Sequence, residues 1–122
     1  MRRLLLVDDD PALRMITRVA LAHGGVFEVH DVDSGASALE RLRRESFDVL
    51  VVDVMMPSMD GPTLVRRVLE ELAPAPRVVF LTAKTGARER QRLLALGAAG
   101  VLSKPYDPIT LVAAVVQAAG LG

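Results

Sequence analysis

The chain alternates short, mainly apolar runs with longer segments in which apolar residues recur every three or four positions. Five runs stand out: Leu4 to Val7, Phe27 to Val32, Val49 to Val54, Val78 to Leu81 and Ala98 to Leu102. A stretch such as Val49-Leu50-Val51-Val52 offers no polar position to either pleat face, the pattern of a parallel strand covered by helices on both sides. The segments between the runs read as helices. Thr63 to Leu72 places Leu64, Val65, Val68, Leu69 and Leu72 on one stripe, with Arg66, Arg67, Glu70 and Glu71 opposite. Residues 11–23 open on Pro11, suited to a first helical turn, and stop at Gly24-Gly25. Residues 35–45 turn Ala38, Leu39 and Leu42 inward, residues 87–96 stop before Gly97, and residues 108–119 stop before Gly120. No linker or low-complexity stretch interrupts this β/α alternation, which predicts one doubly wound α/β domain over residues 1–122.

Composition narrows the chemistry. A domain of 122 residues with 51% hydrophobic content buries enough surface to fold without a disulfide or structural metal. The absence of cysteine excludes thiol catalysis, zinc-thiolate sites and iron–sulfur clusters, and it fits the reducing cytoplasm. Fifteen basic residues balance fifteen acidic ones, so the excess of cations that clamps a phosphate backbone is missing and no direct nucleic-acid binding is expected. The apolar run after Arg2-Arg3 stops at Asp8, too early for a secretory signal, and Pro108 to Gly122 is too short to cross a bilayer. No membrane association is expected.

In open α/β sheets, ligands bind beyond the carboxyl ends of the strands, so the residues there carry the functional information. They are Asp8-Asp9-Asp10, Asp53, Thr82-Ala83 and Ser103-Lys104-Pro105. Singly, each has an ordinary explanation, since an aspartate after a strand commonly caps a helix. Together they place several carboxylates on one edge. Two like charges ~4 Å apart at an effective dielectric of ~20 repel by about 4 kcal/mol, so such a cluster calls for a cation. Oxygen ligands without histidine or cysteine suit magnesium, which binds through one or two carboxylates and a phosphate. A magnesium ion, an aspartate and a lysine together describe phosphoryl transfer to a carboxylate.

The strings LLLVDDDPALRMI, DVLVVDVMMPSMDGPTLVRRV, RVVFLTA and GAAGVLSKPYDPITL resemble the receiver domain of two-component response regulators over essentially the whole chain. The most specific part is Asp53-x-x-Met56-Pro57-x-x-Asp60-Gly61, joined by Lys104-Pro105. The resemblance implies a flavodoxin-like (βα)5 fold with a five-stranded parallel sheet in the order 2-1-3-4-5. It implies a signalling switch that accepts a phosphoryl group on Asp53 from a sensor histidine kinase, a phosphotransfer protein or a small phosphodonor. The domain itself would catalyse much of that transfer, and its product would be a conformational change. Asp8, Asp9, Asp53 and the backbone carbonyl of Met55 would hold magnesium, with manganese as a substitute. Thr82 would be the switch hydroxyl, Lys104 the phosphate-paired lysine and Ala83 a backbone donor to the phosphoryl group. The Lys104-Pro105 peptide would be cis, and Asp10 would cap the first helix.

Some positions depart from the family pattern. Val101 stands where an aromatic residue commonly moves with the switch hydroxyl, whereas Tyr106 matches a different position, which suggests that Thr82 and the loop after strand four switch without a ring rotor. Met55 and Lys84 flank the path of hydrolytic water, and the apolar Met55 suggests slow self-dephosphorylation. The last helix lacks a polar face, which points to a contact surface made by the fourth helix, fifth strand and fifth helix, rimmed by Arg88, Arg90 and Arg92. It would serve self-association or a downstream protein. His23 and His30 carry no assigned role. Two competing readings are a haloacid dehalogenase-like phosphohydrolase, with Asp8 as nucleophile and Asp10 as acid/base, and a receiver-like binding module that is never phosphorylated.

Overall fold

The computed structural model describes residues 1–84 and 86–121. Strands β1 (Arg2–Val7), β2 (Phe27–Val32), β3 (Val49–Asp53), β4 (Arg77–Thr82) and β5 (Gly100–Ser103) alternate with helices α1 (Pro11–Ala22), α2 (Gly35–Arg44), α3 (Gly61–Glu71), α4 (Ala87–Ala95) and α5 (Leu111–Ala118). All pairings are parallel and the strand order is β2-β1-β3-β4-β5, as expected. The order reverses between β1 and β3, so the loops leaving these two strands border the crevice in which this topology binds ligands.

Side-chain alternation along the strands builds two cores. Leu5, Val7, Leu50, Val52, Val78 and Phe80 face α2, α3 and α4, where Leu39, Leu64, Val68 and Leu93 close the layer. Leu4, Leu6, Val49, Val51, Val79 and Leu81 face α1 and α5, where Leu21, Leu111 and Val115 do the same. The uninterrupted apolar strands are thereby explained, because each face has its own helical cover. Val101, at the position without an aromatic ring, is buried in the first of these cores.

The helix starts follow their caps. The Asp10 carboxylate accepts from the N–H groups of Ala12 at 3.0 Å and Leu13 at 3.1 Å, fixing the start of α1 as the sequence suggested. Asp60 does the same for α3 by accepting from Thr63 N–H at 2.9 Å, which moves that helix start back to Gly61 from the expected Thr63. The fifth helix begins later than expected, at Leu111 instead of 108. Asp107 accounts for this: its carboxylate takes the Ile109 N–H at 2.9 Å and its carbonyl takes the Thr110 N–H at 3.2 Å, turning the chain once before the helix starts.

Candidate functional site

Four of the five strands deliver a residue to the same edge. Asp8 follows β1, Asp53 ends β3, Thr82 ends β4 and Lys104 follows β5. Asp8, Asp9 and Asp53 each offer a carboxylate oxygen, and these oxygens lie within 4.8 Å of one another. Lys104 Nζ stands 3.1 Å from Asp53 Oδ1. Asp53 is 8% exposed and Thr82 2% exposed, whereas Asp9 and Ala83 are open to solvent.

Asp8 is the most constrained of the group, at 1% exposure. One of its oxygens accepts the Asp10 N–H at 3.0 Å, and the other, Oδ2, is buried with no hydrogen-bond partner among the described residues. Burial pushes the Asp8 carboxyl up from its ordinary value. The Asp10 N–H opposes that shift, the Asp53 charge adds to it, and Lys104 and Asp9 make smaller contributions of opposite sign. Three carboxylates facing one ammonium group leave two negative charges formally uncompensated, three minus one. An orphaned buried oxygen within an all-oxygen acidic group of this size fits a hard divalent cation.

Local structure explains the rest of the Asp53 motif. The Met55 N–H donates to Asp53 Oδ1 at 3.4 Å, holding the loop after β3 against the carboxylate. Gly61 N–H donates to the Val54 carbonyl at 3.0 Å, and a Cβ at Gly61 would stand 2.4 Å from the Asp53 carbonyl oxygen. Only glycine lets α3 start this close to the strand that carries Asp53. Met56 and Met59 pack against the first core, so both are structural.

On the opposite side of the site, Thr82 Oγ1 accepts the Lys84 N–H at 3.1 Å and the Thr82 carbonyl accepts the Lys104 N–H at 2.7 Å. The loops after β4 and β5 are therefore tied to each other beside Asp53. The Lys104-Pro105 peptide is cis, as expected, and Ala73-Pro74 is a second cis bond that the sequence did not flag.

Two features escaped the sequence. The Tyr106 hydroxyl is hydrogen-bonded to Thr17 Oγ1 on α1, a contact between residues far apart in the chain. Exposed apolar side chains gather on α1 and its border with α5: Met15 is 68% exposed, Val19 67% and Ile109 87%. Ile16, half exposed, shares a groove with Ala83 and Lys104. The apolar pattern of residues 11–23 carried the signal, since Met15, Ile16 and Val19 widen the stripe beyond what one sheet face can cover. On α5, Leu111 and Val115 are buried while Ala113 and Gln117 are exposed.

Comparison with known proteins places the chain in a family. The model of the response regulator receiver domain matches residues 4–116, and the chain belongs to that family. It is 40% identical over 112 residues to the response regulator receiver protein CpdR of Brucella abortus, covering 92% of both chains. It is 38% identical over 111 residues to the transcriptional regulatory protein TrcR of Mycobacterium tuberculosis, covering 91% of this chain but only 42% of that one. The chain thus spans less than half the length of TrcR. Among solved structures it is similar to the chemotaxis response regulator CheY4 of Vibrio cholerae, with a TM-score of 0.88 and 32% identity over 97% of this chain and 98% of that one. Among the described residues, no helix is long and apolar enough to cross a membrane.

Proposed function

We propose that this chain is a phosphorylation-dependent switch of a two-component system and that Asp53 is its phospho-acceptor. The carrying observation is the Lys104 ammonium 3.1 Å from Asp53, beside the carboxylates of Asp8 and Asp9. An Asp53 oxygen attacks the phosphorus of a phosphohistidine on a sensor kinase or phosphotransfer protein, the P–N bond breaks, and the imidazole leaves with a proton from solvent. Asp8, Asp9, Asp53 and the Met55 carbonyl would hold magnesium, which when bound would neutralise charge on the transferring phosphoryl oxygens. Lys104 pairs with the same oxygens as a compact cation, and the Ala83 N–H adds a donor. Exposed Met15, Ile16 and Val19 give α1 an apolar face beside the site, and Ile16 borders the groove leading to Ala83 and Lys104.

The Thr82 hydroxyl, which accepts the Lys84 N–H before phosphorylation, turns to donate its proton to a phosphoryl oxygen. Because the Thr82 carbonyl holds Lys104 N–H, that turn reaches β5 as well as the loop to α4. Arg90 on α4, bonded to the Val101 carbonyl of β5 at 3.0 Å, carries it to the surface of α4, β5 and α5, which meets the downstream protein or a second copy. The hydrolase reading fits less well, because Asp8 is buried and the Asp10 carboxylate is committed to capping α1.

Incubation with magnesium and acetyl phosphate tests the proposal. Intact mass should show one phosphoryl group, mapped to Asp53 and absent from Asp53→Asn. Label on Asp8, or steady turnover of phosphate esters, would overturn it.

A further inference from the structure

Lys104 ends in a flexible four-carbon stem, so its charge sits beside Asp53 only as accurately as the loop after β5 is held. One side of that loop is fixed by the Lys104 N–H donating to the Thr82 carbonyl at 2.7 Å. The other side is fixed two residues further on, where the Tyr106 hydroxyl meets Thr17 Oγ1. Thr17 is fully buried and gives its single hydroxyl proton to the Leu13 carbonyl at 2.8 Å. Its oxygen can then only accept, so the phenol donates. The result is a directed relay, Tyr106 O–H to Thr17 Oγ1 to Leu13 C=O, anchored in the first turns of α1.

That helix is the one capped by Asp10, whose own N–H holds Asp8. The relay therefore joins the loop that carries the lysine to the segment that carries the acidic residues, across 89 positions of sequence. Tyr106 is the sole tyrosine of the chain, and its ring packs against the core beneath α1 and α5. A phenylalanine would fill that space equally well, so packing alone does not call for the hydroxyl.

We propose that Tyr106 and Thr17 form a positioning pair for phosphoryl transfer: their hydrogen bond sets the place of the Lys104 ammonium relative to Asp53. The inference rests on Asp53 being the phospho-acceptor. Neither residue touches the phosphoryl group. Both act through the loop.

The test is single-turnover phosphorylation by acetyl phosphate at saturating magnesium, comparing wild type with Tyr106→Phe, Thr17→Val, the double variant and Thr17→Ser. Loss of one positioning hydrogen bond should slow Asp53 labelling roughly three- to tenfold in each single variant. The double variant should be no slower than the slower single one, because both remove the same bond. Thr17→Ser, which keeps the hydroxyl, should recover the wild-type rate. Rates are read well below each variant's unfolding midpoint, and the magnesium dissociation constant should stay within about twofold of wild type, since Asp10 still caps α1 and still holds Asp8 when the Tyr106 bond is lost.

Rates of Tyr106→Phe indistinguishable from wild type would overturn the pair, as would losses that multiply in the double variant. A wild-type protein that takes no label on Asp53 would refute the phosphorylation reading itself, and the pair with it. Those results are distinguishable, because the wild-type lane is read first.

Discussion

Asp8 shows how a single side chain can be unfavourable for the fold and useful to the site. Its Oδ2 has no partner in a buried position, and burial favours the neutral acid. A carboxyl group whose value is raised in the folded state contributes stability that is complete below the unfolded value and disappears as pH rises through the folded one. Asp8 should therefore destabilise the metal-free protein as pH rises across that interval, while the ion-paired Glu28, Glu45, Glu71 and Glu89 act the other way in wild type and variant alike, so the stability of wild type relative to Asp8→Asn should fall. At neutral pH without metal, Asp8→Asn should be more stable than wild type by about 1–3 kcal/mol, the scale of a buried charged oxygen without a partner, because the amide carries no charge beside Asp53. Urea unfolding in the presence of a chelator measures this. A difference in stability between wild type and Asp8→Asn that did not change over the same interval would contradict the account.

Elements matter through how closely they approach one another. Helix α3 starts against the backbone of β3, with a Gly61 Cβ excluded by the Asp53 carbonyl at 2.4 Å and the Val54 Cα at 3.0 Å. Both neighbours are main chain, so they cannot rotate away. Gly61→Ala should cost about 1–3 kcal/mol by overpacking, and it should slow Asp53 phosphorylation by shifting the strand end. Thermal unfolding and the labelling rate check the two effects separately. The glycine was legible in sequence as part of a motif, but the reason for it was not, because the clash arises between a helix start and a strand end brought together by folding.

At the scale of the whole molecule, the acidic edge couples ligand binding to stability. A cation that binds only the folded state stabilises by mass action, about 2.7 kcal/mol at a hundred times its dissociation constant. For a chain of this size that corresponds to a rise of roughly 10 °C in the unfolding midpoint. Magnesium should produce such a shift in wild type and much less in Asp8→Asn or Asp53→Asn, as read by calorimetry. An equal shift in all three would place the cation elsewhere.

The order of strands and helices, the capping role of Asp10 and the meeting of Asp8, Asp9, Asp53, Thr82 and Lys104 were all readable from the chain. Apolar runs without a polar position fit strands covered on both faces, and parallel β/α units carry the ends of those strands to one edge. Other properties belong to the folded state. That Asp8 is buried while Asp9 is open, that Tyr106 reaches Thr17, and that Met15, Val19 and Ile109 are left in solvent depend on how α1 and α5 settle on the sheet. Periodicity assigns a residue to a face of its own element. Which neighbour covers that face, and which polar atom is left without one, is set by contacts between segments far apart in sequence, and so by packing alone.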